Sequence, residues 1–192
     1  MKNLFLGLMT LLTSVCVHAQ LQLGTPGYGG TGCPAGTASI VASMDSSLLS
    51  VVLDEMVVDG SDTSASFTRK ACNLRLPFSI AQGYKLVVTQ ILTDGIYNVD
   101  PQDTASFTRD IFMVGSTKRK TDKLDLKGSW DYLDLDNQLV AKPVVIESTC
   151  GQTSGMLAVS YSSLIKKSST EATDSYIGVY RSELQLQLVR CQ

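Results

Sequence analysis

Downstream of residue 37 the apolar positions recur every second residue rather than every third or fourth, and that period predicts strands along most of the chain. Ala38, Ile40, Ala42 and Met44 alternate with Ser39, Val41 and Ser43. Asp45-Ser46-Ser47 then reads as a turn and Leu48 to Val58 as a β-branched return strand, so this segment predicts a hairpin. Leu74, Leu76, Phe78 and Ile80 face one way while Asn73, Arg75 and Ser79 face the other, and Pro77 marks an edge or a bulge. Tyr84 to Leu92 is apolar on both parities through Leu86, Val87, Val88 and Ile91, the pattern of a central strand buried on both sides.

Further strands are expected around Phe107 to Val114, Leu124 to Leu135, Val144 to Ile146 and Met156 to Tyr161. The last run, Tyr176 to Cys191, alternates Leu184, Leu186 and Leu188 with Glu183, Gln185 and Gln187, which excludes a helical stripe. The best helical candidate, Ser162 to Asp174, is too polar to dock and reads as a loop. About ten strands separated by Gly, Asp and Ser clusters predict an all-β fold, an antiparallel two-sheet β-sandwich.

The first nineteen residues do not fit that pattern. Lys2, the apolar run from Leu4 to Val17 and the small-residue step Val17-His18-Ala19 have the form of a signal peptide over 1–19, leaving a single exported domain over 20–192. Val15 before Cys16 does not suit a lipoprotein signal, and no later apolar run approaches the ~20 residues of a spanning helix. The expected product is secreted, extracellular or periplasmic. Removing nineteen residues from 192 leaves 173, enough for one domain with a substantial core. Loss of Lys2 leaves 15 basic against 18 acidic residues, a formal charge of −3 that argues against nucleic acid as a partner.

The same cut removes His18, the only histidine, and the odd cysteine, Cys16, leaving Cys33, Cys72, Cys150 and Cys191. An even count in an exported chain implies disulfides. Three pairings are possible; the expected one is sequential, Cys33 with Cys72 and Cys150 with Cys191, because it closes two loops of similar length. With no histidine and no Cys-x-x-Cys pair, neither zinc nor any other cofactor is expected.

Candidate chemistry is sparse. Gly27 to Gly32 lacks the Lys-Ser/Thr ending of a phosphate loop and reads as turns around a disulfide. Asp131, Asp134, Asp136 and Asn137 offer hard oxygens without calcium-loop spacing. Asp54 and Glu55, as neighbours on a strand, point to opposite faces and cannot by themselves be the paired carboxylates of a glycosidase. Lys118-Arg119-Lys120 is the densest basic patch, a solvated hairpin tip or a contact for an anionic surface polymer. Trp130, Tyr132, Tyr176 and Tyr180 are either core and edge aromatics or a sugar-stacking platform. Lys118, Arg119, Lys120 and Trp130 are the candidate ligand contacts. Ala65-Ser66-Phe67-Thr68-Arg69 recurs as Ala105-Ser106-Phe107-Thr108-Arg109, a coincidental strand entry or a pair of equivalent arginine contacts.

Tyr28-Gly29-Gly30-Thr31-Gly32-Cys33-Pro34-Ala35-Gly36-Thr37, Leu53-Asp54-Glu55-Met56-Val57-Val58, Arg69-Lys70-Ala71-Cys72-Asn73-Leu74, Gln82-Gly83-Tyr84, Cys150-Gly151 and Arg190-Cys191 resemble, in order, the exported family catalogued as domain of unknown function 4360. The resemblance implies an exported, cysteine-bridged domain and supplies no catalytic residues. Where family members commonly carry an aromatic-Arg-Gly step, this chain has Leu92-Thr93-Asp94-Gly95. Two functional classes follow. The favoured one is a non-enzymatic module binding a glycan, a cell-wall component or a protein surface; the alternative is a carboxylate-dependent hydrolase acting on polysaccharide or peptidoglycan.

Overall fold

A computed structural model describes residues 21–61, 65–130 and 146–192, with the side chains of Ser129 and Trp130 left out. The expected leader and the calcium candidates Asp131, Asp134, Asp136 and Asn137, with Tyr132, lie outside the described residues. Thirteen strands are described: β1 (Gln22–Leu23), β2 (Gly27–Gly29), β3 (Ala38–Ala42), β4 (Leu48–Leu53), β5 (Val57–Asp59), β6 (Phe67–Ser79), β7 (Tyr84–Val99), β8 (Thr104–Met113), β9 (Arg119–Leu126), β10 (Gly128–Trp130), β11 (Ile146–Glu147), β12 (Ser154–Lys166) and β13 (Tyr176–Arg190). They form two antiparallel sheets. Sheet A runs β1-β6-β12-β8-β9, with β2 also on β6; sheet B runs β10-β7-β13-β4-β3, with β11 on β7 and β5 on β13. Described residues of both sheets contribute to one core between them.

The period-two reading places side chains correctly. Leu74, Leu76, Phe78, Leu184 and Leu186 are buried in that core, and Leu188 packs against it half-exposed. Pro77 sits where the outer ladder of β6 is interrupted, between its pairings with β2 and β1. Its carbonyl accepts from Gly24 N at 2.8 Å on that side, so the missing N–H also faces the gap and no ladder bond is lost.

Three expectations need correction. The run Leu48 to Val58 is two strands, β4 and β5, broken by a bend at Asp54-Glu55. Both still pair with β13, and Tyr180 bulges from β13 opposite the break, where Val179 N donates to Met56 O. Leu86 to Ile91 is apolar on both parities partly because Thr89 is an extra residue in β7. Inward positions are even before it (Leu86, Val88) and odd after it (Ile91, Thr93), while Val87 is buried on the outer face. Ser162 to Lys166 is not loop but the end of β12, where outward Ser162, Leu164 and Lys166 alternate with buried Ser163 and Ile165.

Cys33 pairs with Cys72 and Cys150 with Cys191, as expected, with Cα atoms 5.3 and 5.9 Å apart. Each bridge pins a place where the chain passes between sheets. Cys33 lies on the crossing from β2 to β3, and Cys150 on the crossing from β11 to β12. In the chain-entropy view each loop of this size contributes roughly 4 kcal/mol by restricting the unfolded chain. The glycine-rich segment is the housing of the first bridge. Gly30 has φ 142°, and a Cβ there would fall 2.1 Å from Ala71 O; Thr31 Oγ1 accepts from Ala71 N, and Tyr28 OH accepts from Gly36 N.

One charged side chain crosses the core. Arg109 on β8, fully buried, donates to Asp122 Oδ2 on neighbouring β9 at 2.9 Å and, across the sandwich, to Ile91 O at 3.0 Å and Thr93 Oγ1 at 2.9 Å on β7. Thr93 Oγ1 lies 3.1 Å from Ser182 Oγ, which donates to Leu92 O, extending the network to β13. Burial pushes the neighbouring Tyr161 phenol up to about 12, against the opposing effects of Ser182 and Arg109.

Two stability outcomes follow from this packing. Leu184→Ala, at a fully buried position, is expected to cost roughly 2–5 kcal/mol in denaturant melts, and Gln185→Ala on the opposite face close to nothing. Equal losses would mean the register is wrong. Arg109→Met leaves the buried Asp122 carboxylate to Lys120, 3.2 Å away, and should cost up to roughly 3–5 kcal/mol, much of which Asp122→Leu should restore in the double variant. A wild-type melt for Arg109→Met would show that the buried bridge is dispensable.

Candidate functional site

The basic triplet falls at the start of β9, and alternation divides it. Lys118, in the turn before β9, donates to Glu147 Oε1 of β11 at 2.9 Å. Lys120 points inward and lies 3.2 Å from Asp122 Oδ1. Arg119 points outward, its guanidinium 4.4 Å from the centroid of the Phe112 ring. Trp130 is placed on β10, paired with Tyr97 in sheet B. The four candidates therefore do not converge on one surface.

Arg119 does meet residues that no sequence motif had joined to it. The register across sheet A aligns Arg75 of β6, Ala158 of β12, Phe112 of β8 and Arg119 of β9 in one row. All four have outward parity, since the core takes Leu74, Leu76, Ile111, Met113 and Asp122. The Arg75 guanidinium lies 5.7 Å from the same Phe112 ring, so two cations share one aromatic, and Ala158 is fully buried although it faces outward. Beyond Arg75 the row continues to Gly27 of β2, with open space where its side chain would be.

The adjoining rows carry hydrogen-bonding groups already tied sideways. Ser160 Oγ donates to Asn73 Oδ1 at 2.8 Å, Thr121 Oγ1 donates to Asp110, and Arg69 Nε donates to Ser162 Oγ at 2.9 Å. The face is polar, laterally braced and spread over four long strands. Nothing in a one-dimensional pattern brings Arg75 to Phe112 and Arg119; the strand order does. The repeated pentapeptide is resolved by the same alternation. Phe67 and Arg69 point out from β6, whereas Phe107 and Arg109 point into the core from β8, so the two arginines are not equivalent contacts.

The outer face of sheet B is built differently. The Tyr180 ring lies back over Gly178, where a Cβ would come 2.6 Å from the hydroxyl, and burial with the neighbouring Tyr176 raises the Tyr180 phenol. Arg181 on this face is matched by Glu183 and by Asp94 at 3.8 Å, and Lys85 by Glu147 at 2.6 Å. Two shallow clefts, of about 330 and 400 Å³, flank the tip of the β3–β4 hairpin beside Ser47, Leu186 and Gln187, away from the arginine row.

The family described as "Domain of unknown function (DUF4360)" matches residues 19–191. An "Uncharacterized secreted protein" of Arthroderma benhamiae is 26% identical over 125 residues, 65% of this chain and 51% of that protein, so the chain spans about half the length of this curated relative. Among solved structures, TmCBM61 in complex with beta-1,4-galactotriose aligns over 86% of this chain and 88% of its own at 11% identity and a TM-score of 0.33. A family 11 carbohydrate-binding module from Clostridium thermocellum aligns over 90% and 91% at 8% identity and a TM-score of 0.23. Scores this low carry no argument about this chain.

The surroundings of the carboxylates indicate what they do. Lys85 and Lys118 hold Glu147 down to about 2. Hydrogen bonds from Ser43 and Ser47 hold Asp45, in the hairpin turn, at about 2. Burial pushes Asp103 up, but hydrogen bonds from Ser168 N, Ser175 Oγ, Thr173 and the Ser168 side chain outweigh it and leave the carboxyl below its usual range. These acids stay ionised and serve as braces; a glycosidase acid needs the opposite shift.

Asp103 also makes stability depend on pH. Its folded pKa lies below the ordinary 3.8, so its contribution is complete above that value and is lost as pH falls through the folded pKa. Asp103→Asn is expected to melt lower than wild type at pH 7 and to lose less on acidification below about pH 4. Thermal melts from pH 2 to 7 check this, and parallel curves for the two proteins would remove Asp103 as a brace.

Proposed function

We propose that this chain, which belongs to the family described as Domain of unknown function (DUF4360), is an exported, non-enzymatic binding module that recognises a surface ligand with the outer face of sheet A. The observation that carries the reading is the row Arg75–Phe112–Arg119, two guanidiniums held on one ring beside the β8–β9 turn of a laterally braced sheet face. Recognition of this kind needs rigidity and donors in fixed positions and no reactive residue. The sandwich supplies the first through its shared core and the two bridges that pin the sheet crossings. Arg69, Asn73 and Ser162 supply the second, with Ser160 holding Asn73 in place and Arg69 held on Ser162.

Arg119 is the one sequence candidate on this surface, since Lys118 and Lys120 are turned to Glu147 and Asp122. Export is supported by the two disulfides and by the secreted relative. The expected outcome on an array of glycans and cell-wall fragments is retention of the oxidised protein without release of product. Hydrolysis that disappears on replacing a single Asp or Glu would overturn the proposal in favour of a carboxylate-dependent hydrolase.

A further inference from the structure

The two outer faces differ in how their cations are matched. On sheet B, Arg181 is paired with Asp94 and Glu183, and Lys85 with Glu147. On the outer face of sheet A, Lys123 is paired with Asp125 at 3.0 Å, but among the described residues no carboxylate pairs with Arg69, Arg75 or Arg119. The other acid on that face, Asp110, accepts from Thr121. In a chain of net charge −2, three arginines without acidic partners on one sheet face are a local concentration of unmatched positive charge.

Their chemistry narrows the partner. The guanidinium is a planar fork that matches a carboxylate with two parallel hydrogen bonds, and it stays charged at any physiological pH. Arg75 and Arg119 both lie against Phe112, which places their guanidiniums within roughly 10 Å of each other and spares much of the rotamer entropy that binding would otherwise cost. The floor around them is low, with Gly27 and Gly29 of β2 carrying no side chain and Ala158 buried between Arg75 and Phe112. The Ser160, Asn73 and Ser162 side chains beside the row are suited to sugar hydroxyls. A linear polymer that presents carboxylates at intervals among hydroxyls complements every one of these features.

We infer that the outer face of sheet A is a site for an acidic, uronate-bearing polysaccharide, with Arg75 and Arg119 as its carboxylate contacts and Phe112 as the residue that positions them. This deepens the proposed binding function and rests on it. The guanidiniums meet the carboxylates, Arg69 extends the contact toward the Phe67 end of the sheet, and the hydroxyl-bearing rows take up the sugar edges. Because the contacts are exposed ion pairs, affinity should fall as salt rises.

The test uses the oxidised full-length mature protein in titrations with polygalacturonate, neutral galactan and dextran sulfate at matched charge. The expected result is binding to polygalacturonate that weakens at least tenfold in the double variant Arg75→Gln/Arg119→Gln and is nearly unchanged in Lys123→Gln, with all melts alike. Phe112→Leu should weaken binding and Phe112→Trp restore it. Binding to neutral galactan alone, or unchanged affinity in the double variant, would overturn the acidic-glycan assignment while leaving a binding module in place. Equal affinity for dextran sulfate would replace uronate recognition by general polyanion adsorption and overturn it too. Hydrolysis of polygalacturonate would instead bring down the non-enzymatic reading beneath it.

Discussion

The sandwich depends on how Arg109 is accommodated. A guanidinium fully out of water needs partners inside the protein, and Arg109 Nη1 and Nη2 find them by reaching from β8 to a carboxylate on β9 and to a carbonyl and a hydroxyl on β7. A slip of one residue in β8 would turn Arg109 outward, and a slip in β7 would remove Thr93 from its reach. The polar crosslink therefore ties the register of one sheet to that of the other. Bulk hydrophobic contact between Leu and Val side chains would tolerate more sliding.

Around that crosslink the acidic residues act as fasteners. Asp103 holds the β12–β13 connection through Ser168 and Ser175, Glu147 draws Lys118 and Lys85 together at the β11 edge, and Asp45 closes the β3–β4 turn. Both disulfides clamp crossings between sheets. With connections and turns held this way, the two broad strand faces differ in how their side chains are used. Sheet B spends its outward cations on ion pairs and lays Tyr180 over Gly178. Sheet A leaves three arginines without acidic partners among the described residues, two of them stacked on a phenylalanine.

Much of the fold is legible in the chain because its causes are local. Strict alternation at Leu74-Leu76-Phe78 and Leu184-Leu186 assigns the buried face of β6 and β13, since a strand has only two faces. The even cysteine count implied disulfides, and similar loop lengths favoured the pairing found. In the β7–β13 pair, bulges complicate the alternation. Thr89 and Tyr180 each insert one residue against a partner strand, and such an insertion reverses parity without altering composition.

The candidate site was legible only in fragments. Arg119 stood out because it sits in a run of three basic residues, yet its neighbours in that run turn to other partners and its companions come from elsewhere in the chain. Arg75 and Phe112 reach it because β12 runs between β6 and β8, a strand order set by how the sheets close over their core. The repeated Ala-Ser-Phe-Thr-Arg shows the same limit from the other side, since identical residues become a surface contact at Arg69 and an interior crosslink at Arg109. By itself the sequence determined the strand period, the buried parity of each regular stretch and the presence of bridges, because these follow from side-chain chemistry read along one strand. Only the tertiary structure decided which arginines are buried and which are gathered on one face, because that depends on the order and register of strands far apart in the chain.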